Sequence, residues 1–71
     1  MNLLESKRVG LQAGQLWKIE YGYLQIVELG NWIIHYRMLR EPDQRTAPTR
    51  PIALEALINF LRQSEAELVV N

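Results

Sequence analysis

His35, Ser64 and Asp43 are the residue types of a hydrolase triad, but they are scattered along the chain. Neither serine sits in a nucleophile elbow, so the set reads as polar surface and no catalysis is expected. Glu41 and Asp43 flank Pro42 and offer oxygen ligands to a cation. They lack the ligand density of a calcium loop and stand among Arg40, Arg45 and Arg50, which makes them solvated loop charges. Gly10 and Gly14 are followed by no Lys-Ser/Thr pair, which excludes a phosphate loop. Cysteine is absent and histidine occurs once. Disulfides, thiolate chemistry and Cys-ligated metals are excluded, and no metal or cofactor is expected.

The basic residues carry more information. Arg37, Arg40, Arg45 and Arg50 fall within fourteen residues, and Lys18, Tyr23 and His35 precede them. Residues 1–54 carry seven Lys and Arg against five Asp and Glu; residues 55–71 carry one against three. A sheet face that sets an exposed aromatic beside basic groups stacks bases and contacts phosphates. A nucleic-acid-binding module using these seven residues is therefore the alternative reading. It is not the leading one, because the formal net charge is zero and phosphate neutralisation favours a positive excess.

The elements that position these residues follow from side-chain alternation. Segments 15–20, 23–28 and 31–39 are rich in β-branched and aromatic residues, and Tyr21-Gly22 and Leu29-Gly30 separate them. They predict a three-stranded antiparallel meander over 15–39. A three-residue second turn, Glu28-Leu29-Gly30, with Gly30 as a left-handed bulge residue, sorts the two faces. Trp17, Ile19, Leu24, Ile26, Trp32, Ile34, Tyr36 and Met38 then share the core face. Lys18, Glu20, Tyr23, Gln25, His35 and Arg37 share the polar one. Residues 1–13 lack a clean period and read as an arm or a short first strand near 8–12. Residues 40–50, with two prolines and mixed charges, read as a surface loop.

Pro51 suits the first position of a helix, which predicts a helix over 51–63. Its large apolar side chains spread over roughly 160°, wider than the ~100° stripe that one docking surface needs. Leu54 and Ile58 are the residues expected to meet a partner, most economically a second copy in a homodimer. The tail 64–71 either extends the helix or adds a short strand through Leu68-Val69-Val70.

These elements make one domain of 71 residues, 48% hydrophobic and 23% charged, a composition that folds. No apolar run is long enough to span a membrane, and no secretion signal is read at the start, so a cytoplasmic location is expected. The short strands opening at Gly14-Gln15-Leu16-Trp17, with tight turns and a terminal helix, resemble a small SH3-like barrel or curled sheet with an added helix. That likeness is architectural, rests on no motif and implies no activity. The expectation is an α+β fold, a curved antiparallel meander of three to five strands with one C-terminal helix. Its expected role is that of a non-enzymatic binding or adaptor domain that self-associates or binds a protein.

Overall fold

In the computed structural model, residues 10–69 are described. Alternating apolar side chains form β1 (Leu16–Ile19), β2 (Gly22–Leu29) and β3 (Ile33–Leu39). An irregular stretch leads to β4 (Arg50–Ala53), which runs directly into α1 (Leu54–Gln63); β5 (Glu67–Leu68) follows. The strands form one antiparallel sheet in the order β4-β3-β2-β1-β5, whose outer strands do not pair to close a barrel. The fold is α+β, as the alternation and the helical period imply.

The two faces sort as expected, by a different device. The second hairpin turns at Asn31-Trp32, where the Gly30 N–H donates to the Ile33 carbonyl at 3.0 Å. Gly30 is not in the left-handed region; it is close-packed, because a Cβ there would lie 2.7 Å from the Ile33 oxygen. The extra residue sits inside β2, where the register shifts between Ile26 and Glu28 and leaves Val27 as the bulge. Below it Ile26 faces Tyr36; above it Leu29 faces Ile34, so both pairs point to the core. The first hairpin turns one residue earlier than the separating Tyr21-Gly22, at Glu20-Tyr21, which moves the pairing by two residues and sets Ile19 opposite Gly22 and Trp17 opposite Leu24. That shift is even, so no side chain changes face.

The core joins Leu11, Trp17, Leu24, Ile26 and Ile34 to Leu54, Leu57, Ile58 and Leu61 of α1. Burying each such side chain contributes about 1.5–3 kcal/mol. Trp32 and Met38 depart from the expected core: Trp32 projects from the hairpin tip at 76% exposure and Met38 is 44% exposed. Gln15 supports the start of β1. Its amide donates to the Gly10 carbonyl at 2.8 Å, and its oxygen accepts the indole N–H of buried Trp17 at 3.2 Å. Residues 10–13 form no strand, and residues 1–9 of the expected arm lie outside the described residues.

Pro51 does not open the helix. It lies in edge strand β4 opposite His35, a position where a missing N–H is tolerated. Ala53 precedes the helix without a side-chain cap, and the Leu54 N–H donates instead to the Trp32 carbonyl at 2.8 Å. The helix ends in a Schellman motif: the Ala66 N–H reaches the Leu61 carbonyl and the Glu65 N–H the Arg62 carbonyl. Glu65 takes φ 52°, a conformation that disfavours a side chain. Glu65→Gly is accordingly expected to raise stability by about 1 kcal/mol. An unchanged or lower urea midpoint would contradict that assignment. Beyond Glu65 the tail turns back as a strand, with Leu68 opposite Trp17; Val70 lies outside the described residues.

Candidate functional site

Two surfaces flank the sheet. On the outer face, away from α1, the register places Lys18 opposite both Tyr23 and Glu67, Gln25 opposite Arg37, and Glu28 opposite His35. His35 Nδ1 approaches Glu28 Oε1 at 3.4 Å, an ion-pair distance that does not meet hydrogen-bond geometry. Arg37 Nε is likewise buried without a hydrogen-bond partner. Of the seven residues considered for nucleic acid, the structure therefore gathers Lys18, Tyr23, His35 and Arg37 on one face. Arg50 lies opposite Tyr36, on the core-facing side of β4, and Arg40 and Arg45 are exposed in the loop 40–49. Glu28 and Glu67 balance Lys18 and Arg37, so this face lacks the positive excess that holds a phosphate backbone.

The residues of the triad are kept apart. His35 belongs to the outer face, Ser64 borders a groove on the helix side, and Asp43 is exposed in the loop. Among the described residues, no group of three or more His, Asp or Glu side chains is placed to hold a metal ion. No helix of the described residues is long and apolar enough to cross a membrane.

Leu54 and Ile58 do not form the expected partner surface. They are 7% and 3% exposed, because the wide apolar arc of α1 is filled by the chain's own sheet and by Leu11. The exposed large apolar side chain of α1 is Phe60, at the opposite edge of the arc, roughly 160° round the helix from Ile58. The ten-residue helix is only about 15 Å long and packs over β3 and β4. It leaves uncovered the end of the sheet where β1 turns into β2. A groove of about 540 Å³ opens there, lined by Ile19, Tyr21, Met38, Ala47, Pro48 and Phe60. A smaller hollow of about 130 Å³, reaching Leu24, Tyr36 and Ile52, shares Met38 and Phe60 with it. Glu20, Arg40, Gln44, Thr46 and Ser64 supply polar groups to the groove.

Gln44 shapes the far wall. Its side-chain oxygen accepts the Arg40 N–H at 2.9 Å, and its amide donates to the Thr46 carbonyl at 2.8 Å. These bonds hold the loop in the arc that carries Thr46, Ala47 and Pro48 along the groove. A concave apolar surface with a few polar groups has the size and composition of a binding site. Alternation along the sequence places Met38 on the core face, whereas the structure leaves it 44% exposed at the groove. Phe60 stands out in the sequence only as part of a wide helix arc. The one signal in the sequence is that arc, which implies surplus apolar surface; the expectation puts it on the Leu54/Ile58 edge, and the structure leaves the Phe60 edge exposed. Comparisons with protein-family models, with curated proteins and with solved structures returned no match, so the functional reading rests on this geometry.

Proposed function

We propose that this chain is a cytoplasmic, non-catalytic protein-binding module that receives an apolar segment of a protein in the groove beside Phe60. The observation that carries the reading is the groove itself, where Tyr21 is 89%, Met38 44% and Phe60 36% exposed around one concavity. Contiguous apolar surface of this kind marks interaction sites in soluble proteins. The strand order, with the helix between the fourth and fifth strands and the fifth beside the first, favours an SH3-like sheet left open at β4 and β5. Apolar grooves between a sheet and a loop suit extended segments, whose alternate side chains enter pockets.

The test is amide chemical-shift mapping of the ¹⁵N-labelled protein with peptides selected from a displayed library. Shifts are expected to concentrate at Ile19–Gly22, Met38–Arg40 and Phe60. Met38→Glu is expected to weaken that binding at least tenfold while leaving the fold intact. Selected peptides that perturb only the outer sheet face would overturn the reading. So would salt-sensitive shifts of Lys18, Tyr23, His35 and Arg37 with a short RNA and no peptide response in the groove.

A further inference from the structure

We infer that the occupant of the groove is a second copy of this chain, docked about a two-fold axis that seats each copy's Tyr21 in the other's groove. The inference rests on the groove being the binding surface, and it names the partner. Three observations carry it.

First, knob and hole lie side by side. Tyr21, at the tip of the β1–β2 turn, is 89% exposed and borders the same groove as Met38 and Phe60. A patch holding both a protruding side chain and a hollow to receive one is what an isologous contact requires, since the same surface must meet itself. An aromatic ring buries about 150–250 Å² on such insertion, and Gln44 and Ser64, which line the groove, offer polar partners to a tyrosine hydroxyl.

Second, the charges at the groove are self-complementary. Glu20 and Arg40 both line it, and both are exposed. Among the described residues neither makes an ion pair within the chain. A two-fold axis between them sets Glu20 of each copy against Arg40 of the other, giving two cross-pairs at the rim. Third, the chain has a formal net charge of zero, so two copies approach without overall repulsion. A different protein would have to supply the matching knob, acid and base; a second copy already has all three.

The test is molecular mass by light scattering across a dilution series, on the wild type, Glu20→Arg, Arg40→Glu and an equimolar mixture of those two variants. All substituted positions are exposed, and far-ultraviolet circular dichroism checks that the fold survives. The wild type is expected to reach twice 8.3 kDa. Each variant alone is expected to stay near 8.3 kDa, because like charges then face each other at both ends of the axis. The mixture is expected to recover the doubled mass, because both cross-pairs are restored in the heterodimer. A wild-type mass fixed at the monomer value up to millimolar protein overturns the inference. Doubled mass in every variant overturns it as well, by placing the interface elsewhere. In either case the peptide-mapping result decides separately whether the groove is a binding surface for another protein.

Discussion

Leu57→Ala is expected to lower the stability of this protein by about 2–5 kcal/mol, as truncating a large, fully buried side chain does elsewhere. Leu57 is 0% exposed and occupies the middle of α1, between the Leu54 and Leu61 turns. It is part of the cluster that ties the helix to Trp17, Leu24, Ile26 and Ile34. Alanine removes three carbons there, and a tightly packed interior relaxes only partly into the space. For a chain of this size the whole stability is about 4–10 kcal/mol, so this one change removes much of it. Urea unfolding with an unchanged slope and a much lower midpoint is the expected observation. A loss below about 0.5 kcal/mol would mean that the helix does not pack on the sheet through this residue.

Gly22→Ala is expected to be the most damaging of the small substitutions, at about 1–3 kcal/mol or more. A Cβ at position 22 would lie 2.3 Å from the Leu39 carbonyl oxygen and 3.5 Å from the Arg40 Cα. Both obstacles are backbone, so no rotamer change relieves the clash, and β2 and β3 must move apart. Gly14 offers the control. It takes φ +91° but a Cβ there meets nothing within 4 Å, so alanine at 14 carries only the conformational penalty. The midpoint of thermal unfolding is therefore expected to fall further for Gly22→Ala than for Gly14→Ala. Equal midpoints would contradict the close approach of β2 to β3. Gly22 and Leu39 also border the groove, so Gly22→Ala is expected to weaken peptide binding there as well.

The strands and their facing were legible because alternation is local: Trp17, Leu24, Ile26 and Ile34 announce a buried side wherever the turns fall. The position of the bulge was not. An extra residue at Gly30 and one at Val27 rotate the following side chains equally, and only the pairing of Glu28 with His35 distinguishes them. Pro51 was ambiguous for a related reason. Its fixed φ and missing N–H suit both the first turn of a helix and the edge of a sheet, and the partner strand decides. The groove was the least legible feature. Whether Met38 and Phe60 are covered depends on where a ten-residue helix lies across the sheet, which is a relation between distant segments. The polar residues 18, 23, 35 and 37 were grouped correctly by parity, whereas Arg40 and Arg50 were grouped by nearness in the chain alone.

The pairing of β5 with β1 has a consequence for the order in which the molecule assembles. Lys18 meets Glu67, and the Val69 N–H donates to the Leu16 carbonyl at 2.8 Å, across most of the chain. The β1–β2–β3 meander forms from neighbours and closes short loops, while the β1–β5 ladder closes a loop of about 50 residues at a larger entropic cost. During synthesis, the strand carrying Trp17 is therefore flanked on one side only until Glu67, Leu68 and Val69 emerge. The exposed flank is a strand edge of the kind that recruits other strands. Lys18 within β1 and Glu20 in the turn that follows it, one charge of each sign, stand as gatekeepers over that interval, and the two-residue β5 acts as a latch that ends it.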